Sequence, residues 1–280
     1  DTSIRKYMEA NQNSLLKAME TEKPLITVGV LTPLIAMMAE EMGFKSIYLS
    51  GAALSSKLGL PDLGLLSLEM ICEEARSIIE VCKTPLIVDI DSGWDHPLLI
   101  RRAANQLFDM GVSAIQIEDQ IGSKRCGHRP NKKLVSTEKM CERIHQANIN
   151  KHLAIIARTD SLSSEDQISR CLAYQKAGAD ILFVEAIDSL ETAKQLKETL
   201  SIPLMFNLTE FGKTPLLTQS ELSFSDLLLY PMSVTRVMYQ AAKKALKLIR
   251  DDKQQELIPE MLTRDELYQL LDYQKQETLL

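Results

Sequence analysis

The segment KRCGHRPNK, residues 124–132, places Cys126 directly after Lys124 and Arg125 and two residues before His128. A stretch with so few apolar residues is not core, and cations beside a thiol favour its thiolate. The pattern is that of a reactive, partly exposed cysteine rather than a packing one. A second set is acidic: Asp89 and Asp91 in PLIVDID, and Glu118 in AIQIED. Side chains two apart on a strand share a face, so the two aspartates project toward a point that a glutamate on the next strand can approach. Three converging carboxylates repel one another, and a hard divalent cation relieves the repulsion. With no adjacent Cys or His, such an oxygen set favours Mg2+, with Mn2+ as a substitute, over Zn2+. The structural alternative is that Asp91 caps the turn before Gly93 while Glu118 pairs with Arg158.

The elements that must position these groups repeat eight times. Apolar runs at 25–30, 46–51, 85–91, 114–119, 154–160, 180–186, 203–208 and 227–231 are separated by segments of helical periodicity such as LEMICEEARSIIEVC and LLIRRAANQLFDMG. Runs that are apolar throughout, rather than alternating, predict strands covered on both faces, as in a parallel sheet. Eight alternations predict an α/β fold, a (β/α)8 TIM-type barrel, over an open doubly wound sheet. Residues 1–280 read as one barrel domain, with 251–280 an extra C-terminal helical extension in which Thr263-Arg264-Asp265-Glu266 fits a capping box.

In such a barrel chemistry collects where strands end, and polar residues close most of the runs. They are Ser50 and Gly51, Asp89 and Asp91, Glu118 and Asp119, Arg158 and Asp160, Glu185, and Asn207 with Thr209. The connection from Gln120 to Val135 far exceeds the ~2–6 residues usual after a strand and reads as a lid that brings Cys126 and its cations over the carboxylates. GLPDLG, residues 59–64, is a second loop at that end with Asp62 as its one charge. A Schiff-base lysine is missing from the strand ends, since Lys45, Lys83 and Lys151 precede their strands. No glycine-rich phosphate loop follows the seventh run, where Gly212 stands alone. A catalytically silent scaffold gives no reason to keep carboxylates and thiol together. Metal-assisted chemistry on a small polyanion is what remains.

Composition narrows the partners. A net charge of -6 with both signs interspersed argues against nucleic acid. No run reaches the ~18 apolar residues of a membrane span, and the first twenty residues hold no apolar signal run, so a cytoplasmic location is expected. Five cysteines without a CxxC pair argue against a disulfide framework or zinc site, and Cys72, Cys82, Cys141 and Cys171 fall in segments read as helices.

SGAALSSKLGLPDLG, VDIDSGW, IEDQIGSKRCGHRPNK, ARTD, VEAI, NLTEFGKTPL, YPMSVTRVM and TRDELY resemble the 2-methylisocitrate lyases, in the isocitrate lyase and phosphoenolpyruvate mutase superfamily, along nearly the whole chain. The most specific element is KRCGH. The resemblance implies cleavage of 2-methylisocitrate to pyruvate and succinate in propionate breakdown by the methylcitrate route. Isocitrate lyase, dimethylmalate lyase and oxaloacetate hydrolase activities are the alternatives on this scaffold. It implies Mg2+ held by Asp89, Asp91 and Glu118, and Cys126 as proton donor with Lys124, His128 and Asp62 in the catalytic group. It further implies substrate contacts from Ser50, Gly51, Ala52, Cys126, Gly127, Arg158, Glu185, Asn207, Leu208, Thr209, Arg236 and Arg264. A homotetramer acting on a small tricarboxylate is the implied assembly. The chain departs from the family pattern at Ala52 and Ala53, where glycine is frequent, at Val184, where proline is common, and at Thr235, where an aromatic is frequent. These differences touch substrate preference rather than the metal or the acid.

Overall fold

The computed structural model describes residues 14–127, 129–149 and 153–280; the first residues of the chain, His128 and Lys151 lie outside the described set. The chain divides into two compact units, one ending at Ser233 and one running from Val234 to Leu280.

In the first unit α1 (Ser14–Thr21) precedes β1 (Leu25–Gly29), followed by α2 (Pro33–Glu41), β2 (Ser46–Leu49), α3 (Gly51–Lys57), α4 (Leu68–Val81), β3 (Leu86–Asp89), α5 (Pro97–Met110) and β4 (Ala114–Glu118). Then come α6 (Thr137–Ala147), β5 (Ala154–Thr159), α7 (Ser164–Lys176), β6 (Ile181–Val184), α8 (Leu190–Thr199), β7 (Leu204–Asn207) and β8 (Leu227–Tyr230). The strands are parallel, pair in chain order, and close where β8 meets β1, which is the barrel the alternating pattern predicts. Residues 208–226 join β7 to β8 by turns, so one of the eight expected helices is absent.

Strand side chains alternate between the ring's interior and the helix layer. The interior row begins with Leu25, Ala114, Ala154, Ile181 and Leu227, which form one buried cluster with Leu15, Ala18 and Met19 of α1. Helix α1 therefore plugs the end where the strands begin and leaves the other end to polar groups. Along that row Ile156 is followed by Arg158, Phe183 by Glu185 and Met205 by Asn207, each two residues on. Gly111 ends α5 with φ of 102°, the left-handed cap that only glycine adopts without strain.

The strands are shorter than the apolar runs. Ser50, Asp91, Asp160, Glu185 and Thr209 lie just beyond them, because the chain turns away once the ladder ends, with left-handed φ at Asp91 and Ala186. Cys82 likewise falls just past α4.

The second unit contains most of α9 (Ser233–Arg250), a 3-10 turn (Gln254–Glu260), α10 (Arg264–Leu270) and α11 (Tyr273–Glu277). The Thr263–Glu266 capping box is present as expected. Past the box the extension forms two short helices, broken at Asp272, whose φ is 50°, with Tyr268 and Tyr273 stacked across the break at 4.3 Å.

Candidate active site

Two groups of side chains meet at the C-terminal ends of the first unit's strands. The first is built on β2, β3 and the loop after α3. Asp89 accepts backbone N–H groups with both oxygens, from Asp91 at 3.0 Å and Gly51 at 3.1 Å. Ser50 caps α3, its Oγ accepting from the Ala53 N–H at 3.4 Å. Gly51 is needed here for space, since a Cβ would stand 2.9 Å from Asp91 Oδ1 and 3.2 Å from Asp89 Oδ2. Asp91 points to Lys124, whose Nζ lies 2.6 Å from it and 2.6 Å from Asp62. Burial drives the Asp91 carboxyl up to about 7, with Lys124 opposing and Asp89 reinforcing the rise. Burial works against the Lys124 ammonium, but Asp91, Glu118, Asp62 and Asp89 outweigh it and hold it well above the ordinary lysine range.

The second group is built on β4 to β7. Arg158 forms a two-pronged pair with Asp160, at 2.9 and 3.0 Å, and reaches Glu185 at 3.1 Å and Glu118 at 3.6 Å. Its guanidinium lies over the Phe183 ring, 5.1 Å from the centroid, so the apolar row below supports it. Asn207 donates to Glu185 at 3.2 Å, and Leu208 and Thr209 are buried just past β7. Lys132 pairs with Asp160 at 2.9 Å. Burial alone would raise the Asp160 carboxyl, but Arg158 and Lys132 outweigh it and hold it below the usual range. Glu118 goes the other way, raised by burial more than Arg158 can offset. The pairing of Glu118 with Arg158 anticipated as the structural alternative is thus present.

The long loop joins the groups. Its ends are pinned by an isolated bridge between Gln120 and Leu134 and by Val135 N–H donating to Asp119 O at 2.8 Å. The Gln120 amide clasps Arg125, donating to its carbonyl at 2.8 Å and accepting from its N–H at 2.9 Å. Lys124 anchors the loop to the first group. Gly127 seats it in the second, where a Cβ would stand 2.4 Å from Arg158 Nη2 and 2.5 Å from Glu185 Cγ. Cys126 lies between these anchors and is exposed; the other cysteines are buried or half-buried. His128 lies outside the described residues. Ala52 is half-buried on α3. Arg236, on α9, and Arg264, which opens α10, belong to the second unit.

Among the described residues no three His, Cys, Asp or Glu side chains stand close enough to share one metal ion. The physical reason is visible: the chain's own cations, Lys124 and Arg158, lie among the carboxylates. Asp89, Asp91 and Glu118 are neighbours rather than a preformed cage, linked through Glu118 N–H, which donates to Asp91 O at 2.9 Å. The donor chemistry still fits a hard divalent ion. Glu118 Oε1 is buried without a hydrogen-bond partner, the position of an anionic oxygen that a cation would satisfy.

Sequence reasoning passed over Tyr48 and Lys132. Tyr48 is buried on β2, its hydroxyl donating to Gln116 at 2.6 Å, and its phenol is raised by burial and by Asp89. Its place two residues before Ser50 on an inward-facing row was the available signal. Lys132 gave none beyond lying in a basic loop.

The phosphoenolpyruvate phosphomutase family model matches residues 16–250. The chain belongs to this family. Members similar to it include the 2-methylisocitrate lyase of Shewanella oneidensis, 40% identical over 267 residues that cover 92% of this chain and 91% of that one. Among solved structures, an oxaloacetate acetylhydrolase with the inhibitor 3,3-difluorooxalacetate superposes with a TM-score of 0.89 at 30% identity, covering 96% of each chain. A 2,3-dimethylmalate lyase gives a TM-score of 0.85 at 32% identity, covering 96% of this chain and 94% of that one. The chain is therefore an enzyme, and its curated relatives place it among the carbon–carbon lyases. Among the described residues no helix is long and apolar enough to cross a membrane.

Proposed function

We propose that this enzyme cleaves 2-methylisocitrate to pyruvate and succinate, with Mg2+, or Mn2+ in its place, held by Asp89, Asp91 and Glu118. The observation that carries the reading is the seating of the KRCG segment. Lys124 reaches Asp91 and Asp62 while Gly127 fits against Arg158 and Glu185, so Cys126 lies between the acidic group and the arginine group. Curated relatives about 40% identical across nine-tenths of the chain support the substrate.

Bound there, Mg2+ supplies Lewis-acid polarisation of the 2-hydroxyl and its neighbouring carboxylate. The rest falls to the chain's own residues. Arg158, its Nε and Nη2 held by Asp160 and Glu185, turns its Nη1 donors to a substrate carboxylate, with Asn207 and Thr209 beside it and Ser50, Gly51 and Ala52 across the mouth. The hydroxyl proton passes to a carboxylate of the acidic group, the C–O bond becomes the ketone of pyruvate, and the electron pair of the C2–C3 bond stays on the succinyl carbon. That carbon takes the Cys126 Sγ proton, completing succinate and leaving a thiolate in the loop segment that carries Lys124 and Arg125. Closure of the loop excludes water from the carbanion. With this substrate the reaction closes propionate breakdown through methylcitrate. We extend the reading to a cytoplasmic homo-oligomer, tetrameric as the resemblance implies.

The test is a coupled assay with Mg2+ that offers 2-methylisocitrate and isocitrate separately and scores pyruvate against glyoxylate. Pyruvate in strong excess, lost in Cys126→Ser, is the expected result. A folded protein that cleaves neither but acts on dimethylmalate or oxaloacetate overturns it in favour of the activities named for the structural neighbours.

A further inference from the structure

We infer that Arg143 is a positioning residue, which ties the end of β4, the turn after β3 and the root of the 119–136 loop into the arrangement the reaction requires. Arg143 lies on α6, outside the strand ring, and heads the fully buried side chains by size at 1% exposure. Its Nη1 donates to the carbonyls of Glu118 and Gln120, both at 2.8 Å, and its Nη2 to Asp95 Oδ1 at 2.8 Å.

A guanidinium is an expensive group to bury, and packing does not call for one. Met140, Ile144 and Ala147 already give α6 a fully buried apolar face, which a leucine or methionine at 143 would extend without desolvating a charge. What the arginine adds is a rigid fork with donors for three acceptors at once. All three acceptors lie in segments that carry the site. Glu118 bears the carboxylate beside Arg158. Gln120 is the loop root that clasps Arg125 and bridges Leu134. Asp95 closes the turn after Asp91, in which Asp91, Trp94 and Asp95 hold positive φ of 52°, 57° and 52°. Asp95 also backs the loop, since a Cβ on Gly122 would stand 3.2 Å from Asp95 Cβ. Glu118 N–H, donating to Asp91 O at 2.9 Å, closes the circuit. The side chain thus governs the spacing between carboxylate group and loop without touching either reacting group.

The kinetic arm of the test rests on the lyase reading; the exchange arm does not. Arg143→Met keeps length and burial but loses every donor. Its kcat for 2-methylisocitrate is expected to fall about 10- to 100-fold, as for a displacement on the order of 1 Å, with KM moved by less than about threefold. Hydrogen exchange is expected to quicken at the amides of Glu118 to Arg125 while the rest of α6 and the barrel keep their protection. In Arg143→Ala, added guanidinium ion is expected to restore part of kcat, whereas urea at the same concentration does not. Arg143→Lys, which keeps the charge, carries the same readouts if the methionine variant does not fold, with an intermediate loss expected. Wild-type kcat in Arg143→Met, or exchange that quickens evenly through α6 and the barrel, overturns the inference in favour of a packing role. Failure of the wild-type enzyme to cleave 2-methylisocitrate counts against the lyase reading alone, and the exchange pattern still decides Arg143.

Discussion

Gly127→Ala puts the loop's seating to its most direct test. The added methyl carbon would stand 2.4 Å from Arg158 Nη2, 2.5 Å from Glu185 Cγ and 2.9 Å from Asp160 Oδ1, so it intrudes by about 1 Å on ordinary van der Waals approach. The flexible end of an arginine would usually swing aside. Here it is held by Asp160 and Glu185, and disrupting a buried ion pair costs ~3–5 kcal/mol. Overpacking costs typically ~1–3 kcal/mol, so the loop should yield before the arginine. That penalty falls on the seated loop and corresponds to a roughly 5- to 150-fold loss of its seated population. We expect kcat/KM to fall by that factor with little change in the denaturation midpoint, because a raised surface loop leaves the barrel core untouched. Protection of Cys126 from iodoacetamide by Mg2+ with succinate should weaken in parallel. Wild-type kcat/KM in Gly127→Ala would show that the close contact among Arg158, Glu185 and Asp160 is not the reacting geometry.

Thiol titration of the native protein should show one fast group, abolished in Cys126→Ser, while buried Cys72, Cys82 and Cys171 react only on unfolding; a fast phase surviving that substitution refutes the exposure argument. Tyr174→Phe removes a buried hydroxyl that donates to Asp119 at 2.7 Å and accepts from Arg170 at 3.2 Å, and denaturant titration should show a loss of ~1–3 kcal/mol. Asp160 is held below the usual carboxylate range by Arg158 and Lys132 against its burial. Its contribution to stability is therefore full above pH ~4 and lost as pH falls through its lowered value, so Asp160→Asn should flatten the acid limb of stability against pH. In the mouth Asp62, Asp89, Asp91, Glu118, Asp160 and Glu185 outnumber Lys124, Lys132 and Arg158. A tricarboxylate should thus bind at least ~100-fold more weakly after chelation, and calorimetry showing equal affinity with and without chelator would refute that balance.

The barrel was legible because its cause is local. Each strand is covered on both faces, so each run is apolar throughout, and eight runs separated by helical periods leave few other architectures. Strand ends were less legible, since an apolar residue in the last ladder pair and one just past it have the same composition. Asp91 shows the difference: apolar Ile90 carries the run past Asp89 to residue 91, yet the ladder stops at Asp89 and φ at Asp91 turns to 52°. The missing helix after β7 and the break at Asp272 are of the same kind, set by how the chain packs rather than by its period.

The site divides along the same line. Carboxylates at strand ends were visible because burial makes them costly, and cost implies a partner. Which partner they meet depends on distances that spacing does not contain. Lys124 and Lys132 come from one loop yet meet different carboxylates, Asp62 and Asp91 for the first and Asp160 for the second. Arg143 was invisible for a stronger reason: on α6 it stands in a charged, helical stretch, where an arginine ordinarily lies on the solvated face, and its three acceptors are two carbonyls and a carboxylate from distant segments. Backbone carbonyls carry no residue identity, so no pattern of residue types announces them as partners. A residue that acts through main-chain acceptors therefore emerges only once the fold has placed them, whereas one that acts through paired charges leaves its opposite sign in the sequence.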